Sequence, residues 1–131
     1  MARIARQPQV QKITNVNRGE IYLVSFDPTV GHEIKKTRPA LIIQNDIGNR
    51  YSLLTIVAAI TSRISPVAYP VEVLIDASRS NGLDVRSSIR LDQVRTVDRQ
   101  RLIKRLGAID TDTMAKVNQA IQVSLGLIDV G

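Results

Sequence analysis

Short apolar runs alternate with polar turns along most of the chain, and this pattern predicts a small β protein. Runs rich in β-branched residues cover residues 20–26, 40–43, 53–60, 71–76 and 88–95. β-Branched side chains fit a pleated sheet, while Gly, Pro, Asn and Asp end strands. We therefore expect five or six short strands with little helix between them, as in a small antiparallel β-barrel or a strongly coiled sheet.

Helical periodicity is confined to the last third of the chain. Apolar positions at i, i+1 and i+4 predict a short amphipathic helical segment over residues 99–106, with Gly107 after it. A longer stripe of period near 3.6 predicts a C-terminal helix between residues 111 and 127, capped by Asp110 or Thr111. We expect this helix to dock on the sheet, and the alternative is a helix that binds a partner.

Composition and charge divide the chain into a leader and one domain. Residues 1–17 are polar and aperiodic, which predicts a mobile basic leader, and residues 18–131 are expected to form a single domain. The net charge is +6 and the sequence pI about 10.2, which favours a polyanionic partner. Four basic residues and no acid occur in residues 1–18, so the remaining 14 basic and 12 acidic residues leave only +2. A solvated tail and an arm with nonspecific phosphate affinity both remain open.

Several function classes are excluded or disfavoured by composition. The chain has no cysteine and one histidine, so it can form neither a disulfide nor a thiolate metal site, and a zinc site is not expected. We expect no metal and no cofactor. The longest apolar runs are far shorter than the roughly 20 residues that span a bilayer, and no secretory signal is recognisable. The expected location is therefore cytoplasmic, away from membranes.

A polar loop precedes the run at 40–43, and a hydroxyl pair follows the run at 53–60. A turn is expected between them, over residues 45–50. If the two runs are antiparallel neighbours, the start of the first and the end of the second lie at the same edge of the sheet. The loop and the hydroxyl pair would then bring together His32, Glu33, Lys35, Lys36, Arg38, Thr61 and Ser62.

These residue types suit metal-free cleavage of RNA, in which a 2′-OH attacks the neighbouring phosphorus. Glu33 suits the base that takes the 2′-OH proton. Arg38 suits stabilisation of the phosphorane charge, because its fork binds two phosphate oxygens and stays protonated. Thr61 can donate a neutral hydrogen bond to the phosphate.

Each of these residues also has a structural explanation, and the residue types alone do not decide between the two. Glu33 among neighbouring cations fits an exposed ion-pair cluster. His32 fits an ordinary surface residue in a loop. Arg38, just before Pro39, fits a cap on the sheet edge, and Thr61 fits a strand end that bonds its own backbone.

Four segments of the chain, in order and spacing, resemble the MazF/PemK family of toxins from bacterial toxin–antitoxin systems. They are RGEIYLVSFDPTVGHE, RPALIIQNDIGNR, TIVAAIT and LDQVRTVDRQRL. The resemblance covers about residues 18–128, and its QNDIGNR form is similar to the branch found in Gram-positive bacteria.

The resemblance implies a Src-homology-3-like β-barrel with a C-terminal helix that works as a homodimer. It implies sequence-specific cleavage of single-stranded RNA, mostly mRNA, leaving a 2′,3′-cyclic phosphate and a 5′-hydroxyl and arresting growth. The family's catalytic arginine and threonine fall on Arg38 and Thr61, its loop glutamate on Glu33, and a groove position on Gln93. The implied partner is a MazE-like antitoxin, which occludes the RNA groove and with which such toxins bind DNA.

The loop departs from the family pattern around Glu33. Ser and Gln usually flank that glutamate, whereas His32 and Ile34 flank it here, and the usual small residues after it are Lys35 and Lys36. The two lysines are candidates for added phosphate attraction, as are His32 and Ser62 for RNA binding. The alternative function is a noncatalytic barrel toxin of the gyrase-inhibitor type, or a simple nucleic-acid-binding module.

Overall fold

One antiparallel sheet of six strands carries two helices in the computed structural model, which describes residues 15–27, 30–32, 36–67 and 69–129. The strand order is β4-β5-β3-β2-β1-β6. The predicted mainly β fold with a C-terminal helix is therefore confirmed. In chain order the elements are β1 (Glu20–Ser25), β2 (Thr37–Ile42), α1 (Asp46–Tyr51), β3 (Leu54–Thr61), β4 (Glu72–Ile75), β5 (Ser87–Asp98), a 3-10 turn (Arg99–Arg101), β6 (Leu102–Ala108) and α2 (Thr111–Ser124).

The sheet buries side chains on both of its faces. Alternate residues such as Ile21 and Leu41 pack under α2 and form the helix-side core with its Val117. Residues of the opposite parity, such as Tyr22 and Ala40, form a far-side core on the other face. Burial on both faces explains why β3 is a nearly continuous apolar run rather than an alternating one.

The far-side core extends into the N-terminal segment. Val16, at the end of the predicted leader, is 4% exposed and belongs to this core. Arg18 ties the same segment down: its Nε donates to the Ile43 carbonyl at 2.8 Å, and its backbone N–H donates to the Asp46 carboxylate at 2.7 Å. Residues 1–14 lie outside the described residues, so the leader remains a prediction.

The turn predicted for residues 45–50 is wrong, because this segment forms α1. Asn45 is the N-cap, and its side chain accepts from the Gly48 N–H at 2.8 Å. Asn, Asp and Gly favour helix starts as well as turns, so the composition alone did not separate the two structures.

The short helix predicted over 99–106 is also wrong, because only Arg99–Arg101 is helical and the chain then runs on as strand β6. β6 pairs with β1, and its Leu102 is buried in the far-side core. Gly107 is a strand residue rather than a helix C-cap. A Cβ on Gly107 would lie 2.2 Å from the Ser80 carbonyl oxygen, so the need for glycine comes from close packing.

The backbone that comes so close to Gly107 belongs to a turn at residues 78–82. The Ala108 N–H donates to the Ser80 carbonyl at 3.0 Å. Asn81 is 5% exposed; its side chain donates to the Asp76 carbonyl at 2.8 Å and accepts from the backbone N–H groups of Ser78 and Leu83. The Asn-Gly turn is therefore held in place and docked against the end of β6.

We expect Gly107→Ala to destabilise the protein by about 3 kcal/mol, the upper end for overpacking, because the added methyl overlaps a turn held by buried hydrogen bonds. Urea unfolding measures the effect. Gly126→Ala is the matched control, since Gly126 has φ +73° but no atom within 4 Å of the added Cβ. Its cost is expected to be only the backbone term, about 1–2 kcal/mol. A larger loss in the control would contradict this account of Gly107.

Candidate active site

Arg38 and Thr61 occupy the ends of two neighbouring strands. β2 and β3 are antiparallel, with Ala40 opposite Ala59 and Leu41 opposite Ala58. The paired residues end at Ala40 and Ala59, and a continuation of this register by two residues would set Arg38 opposite Thr61. Both residues have the parity of the far-side core, so their side chains leave the same face of the sheet, and cross-strand neighbours have Cβ atoms about 4.5–5.5 Å apart.

The hydroxyl of Thr61 has one fixed hydrogen bond. Its Oγ1 accepts from the backbone N–H of Arg63 at 3.1 Å, and the residue is half-buried. A threonine hydroxyl has a single O–H donor besides its lone pairs. The bond to Arg63 uses a lone pair, so the O–H remains available to donate to a phosphate oxygen near Arg38.

A cleft of about 430 Å³ lies beside these strand ends. Arg38 and Ser62 line it, together with Pro39 and Ile60 from the same strands. Its other wall comes from β6 and from the turn region that packs against it. The remaining lining residues are Leu23, Gly82, Leu83, Asp84, Val85, Ser87, Lys104 and Leu106.

This second wall was missed by the sequence-based prediction of site residues. Lys104 and Leu106 were assigned to a helix, and Asp84 was not among the predicted site residues. The one sequence signal was the Asn-Gly turn, whose docking on β6 depends on a contact distant in sequence.

The loop before β2 contains four of the predicted site residues. His32 is exposed and described. Glu33 and Lys35 lie outside the described residues, so their proposed roles remain predictions. Lys36 is exposed and has φ +65°, a conformation that non-glycine residues seldom adopt. Lys36 and Arg38 are only two residues apart, so the loop enters the strand directly beside the cleft.

Gln93 lies away from Arg38 and Thr61. The pairing of β3 with β5 shifts from Ala58↔Val94 to Ala59↔Arg90, so Gln93 sits in an irregular segment of β5. It is half-buried and does not line the cleft described above. Arg38, Thr61 and Ser62 thus lie at the same end of strands β2 and β3, where Arg38 and Ser62 line the cleft, and Thr61 and Gln93 do not.

An ion cluster lies next to Gln93 on β5. The Arg90 guanidinium makes two hydrogen bonds to the Asp92 carboxylate, at 2.9 and 2.7 Å, and lies 3.3 Å from the Glu72 carboxylate. The hydrogen bond from Arg90 is the main cause that lowers the pKa of Asp92 below its ordinary value.

The QNDIGNR segment has a structural role in the region that connects β2 and β3. Asn49 is fully buried: its Oδ1 accepts from Thr55 Oγ1 at 2.8 Å and from Gln44 Nε2 at 3.1 Å. Its Nδ2 donates to the Gln44 carbonyl at 2.9 Å and to Asp46. This satisfied network fixes α1 against the sheet and so holds the β2–β3 pairing.

The described residues hold neither a metal-ligand cluster nor a membrane-spanning helix. Within that part of the chain, no three His, Cys, Asp or Glu side chains lie close enough together to hold a metal ion. No helix of the same part is long and apolar enough to cross a membrane.

Comparison with known proteins shows which family the sequence matches. A family model described as "PemK-like, MazF-like toxin of type II toxin-antitoxin system" matches residues 17–125. The chain is 48% identical over 114 residues to endoribonuclease EndoA of Bacillus subtilis (strain 168), covering 87% of this chain and 97% of that protein. It is 46% identical over 112 residues to endoribonuclease MazF of Staphylococcus saprophyticus, covering 86% and 92%.

A solved structure shows the same fold. The crystal structure of MazF from Deinococcus radiodurans superposes with a TM-score of 0.72 at 28% identity. The match covers 85% of this chain and 96% of that one. Sequence and fold comparisons therefore agree over nearly all of the described residues.

We expect Asp92→Asn to cost about 1 kcal/mol at neutral pH, the upper end for an exposed pair, because only 26% of the Arg90 side chain and 37% of the Asp92 side chain are accessible. Because the pKa of Asp92 is lowered on folding, the pair contributes fully above the ordinary value of 3.8 and its contribution is lost as pH falls through the lower folded-state pKa. Unfolding free energies of both proteins between pH 7 and 2.5 test this. A difference that stayed constant down to the lowest pH would contradict it.

Proposed function

This chain belongs to the PemK-like, MazF-like toxins of type II toxin–antitoxin systems, and from that premise we propose that it is a sequence-specific endoribonuclease. Its substrate is single-stranded RNA, mainly mRNA, and its cleavage inhibits translation and growth. We propose that the reaction needs neither a metal nor a cofactor and proceeds by attack of the RNA's own 2′-OH. The products carry a 2′,3′-cyclic phosphate and a 5′-hydroxyl.

One observation supports this proposal: Arg38 lies at the start of β2 and Thr61 at the end of its antiparallel neighbour β3, and Arg38 lines a cleft there together with Ser62. In the reaction the bond from the 2′ oxygen to phosphorus forms and the bond from phosphorus to the 5′ oxygen breaks. Negative charge builds on the non-bridging oxygens between these two events. Arg38 and the Thr61 hydroxyl act on those oxygens, and a preorganised donor at such a position stabilises the transition state.

The proton transfers involve the loop before β2. Glu33 is proposed as the base that takes the 2′-OH proton, as the family resemblance implies, and the departing 5′ oxygen takes up a proton as its bond to phosphorus breaks. The short distance along the chain from Glu33 to Arg38 supports this assignment, since a base must come within hydrogen-bond reach of the hydroxyl.

Substrate binding is proposed for the residues around this centre. Ser62 lines the cleft, and His32 and Lys36 are exposed on the loop that leads to it. Lys35 is the second loop lysine. Cations here would attract the phosphate backbone of a single strand. Gln93 lies outside the cleft, so we propose that it contacts a nucleotide further from the cleaved bond.

Two protein partners follow from the family. We propose a homodimer, which would cover apolar side chains that a monomer leaves exposed, such as Tyr51 at 79% and Leu53 at 78%. We also propose a MazE-like antitoxin whose disordered acidic segment folds over the RNA site. A cytoplasmic location is consistent with both partners and with an mRNA substrate.

We expect Arg38→Ala and Thr61→Val each to lower the cleavage rate by about 10²–10³-fold, the range for loss of one transition-state donor, while leaving the fold intact. Thr61→Val keeps the side-chain shape and Thr61→Ser keeps the hydroxyl, so Thr61→Ser should retain most activity. The measurement incubates each protein with mixed RNA and maps new 5′-hydroxyl ends. Cleavage at the wild-type rate by either Arg38→Ala or Thr61→Val would refute the assignment.

We expect EDTA to leave the cleavage rate unchanged, because Arg38 and Thr61 supply the charge stabilisation in the proposed reaction. The same 5′-end mapping, with and without the chelator, measures this. EDTA-sensitive cutting would indicate a metal-assisted mechanism. RNA that stays intact with the wild-type protein over many hours would favour a noncatalytic toxin of the gyrase-inhibitor type.

A further inference from the structure

Three consecutive backbone carbonyls at the end of β1 accept hydrogen bonds from two arginines. Arg95 Nη1 donates to the Phe26 carbonyl at 2.6 Å. Arg101 Nη1 donates to the carbonyl of Ser25 at 3.1 Å and to that of Asp27. These arginines come from β5 and from the 3-10 turn, about 70 residues further along the chain. Long-range guanidinium bonds thus fix the point where β1 ends and the loop begins.

The other end of the loop is tied to two of these residues, Phe26 and Asp27. The Phe26 N–H donates to the Lys36 carbonyl at 2.9 Å, and the Lys36 N–H donates to the Asp27 carboxylate at 3.1 Å. Lys36 keeps its positive φ within this pair of bonds. The loop between Asp27 and Lys36 therefore starts and ends at one fixed base, and Arg38 follows two residues later.

We propose that Arg95 and Arg101 are positioning residues that form a clamp on the base of this loop. By holding the carbonyls of residues 25–27, they fix the direction in which the loop leaves the sheet and the place where it returns beside Arg38. The proposal rests on the proposed function, because the clamped loop bears Glu33, the candidate base. A shift of about 1 Å in such a group costs roughly 10²-fold in rate.

The competing role for these arginines is direct binding of RNA phosphates. The contacts distinguish the two roles: both guanidiniums are already aimed at backbone carbonyls, and both residues are half-buried. Phosphate contacts make affinity depend on salt, with a log–log slope of about −0.7 per contact for a single strand. A residue that only positions the loop leaves that slope unchanged.

The test compares Arg95→Ala and Arg101→Ala with Arg50→Ala, which removes the same charge from an exposed position at the end of α1. Amide hydrogen exchange is measured first, on the full-length protein without RNA. We expect the Phe26 and Lys36 amides to exchange about tenfold faster in the two clamp variants, while amides in β3 and the Arg50→Ala protein exchange as in the wild type. Unchanged exchange at Phe26 and Lys36 would overturn the clamp.

Cleavage and binding are measured next on the same proteins. We expect kcat to fall at least tenfold with KM within about twofold, and the salt slope of RNA binding to match the wild type. A slope reduced by about 0.7 per arginine would identify phosphate binding instead. If the wild type cuts no RNA, the proposed function fails, but the exchange result still decides whether the clamp exists. Faster exchange in β3 as well would mean that Arg101→Ala destabilises the whole sheet. In that case Arg101→Lys is measured instead, and the exchange of its Phe26 and Lys36 amides decides the question.

Discussion

The pairing of β2 with β3 is the constraint on which the candidate site depends. Ala40 and Ala59 face each other at the centre of the sheet, and both are buried in the far-side core. Their neighbours Leu41 and Ala58 are buried in the helix-side core. A slip of one residue would turn every side chain to the wrong face, so burial on both faces fixes the register. The positions of Arg38 and Thr61 follow from that register, which needs no contact between the two side chains.

The segment that connects β2 and β3 is fixed in place as firmly as the two strands are. α1 is only six residues long, and so short a helix is not stable alone. It persists because Asn49 is buried with all its side-chain hydrogen bonds satisfied, to Gln44, Asp46 and Thr55. The QNDIGNR segment, which resembles a family signature, is thus explained by packing and hydrogen bonding rather than by contact with RNA.

The sequence pattern predicted those elements in which the residue types and the spacing of apolar positions favour the same secondary structure. β1 and β3 are rich in β-branched residues and were predicted to within about a residue, and α2 was predicted from its stripe and its Asp110 cap. β6 was not predicted, because its leucines have a helical spacing. The segment is nevertheless a strand, since it pairs with β1. Tertiary pairing overrode a weak local signal there, as it did for the turn residues that became α1.

The site was predictable in the part that lies close in sequence. Arg38 and Thr61 were expected at one edge because two runs joined by a short connection are normally antiparallel neighbours. The second wall of the cleft, with Asp84 and Lys104, depends on a turn docked against β6, which no local pattern shows. The contacts of Arg95 and Arg101 with the end of β1 are equally long-range, and their assignment as a clamp had no counterpart in the sequence.

An arginine clamp and a site for a polyanion are physically compatible in a way that a carboxylate clamp would not be. A carbonyl oxygen accepts a hydrogen bond from a guanidinium without cancelling its charge, and arginine stays protonated at any physiological pH. In the proposed clamp, Arg95 and Arg101 therefore hold the loop base without placing a negative charge beside the site. A carboxylate at the same place could not fix the loop, because it only accepts hydrogen bonds and so cannot bond a carbonyl oxygen, and it would also repel the phosphate. The need to donate hydrogen bonds to carbonyl oxygens therefore accounts for arginines rather than acidic groups at the base of the loop.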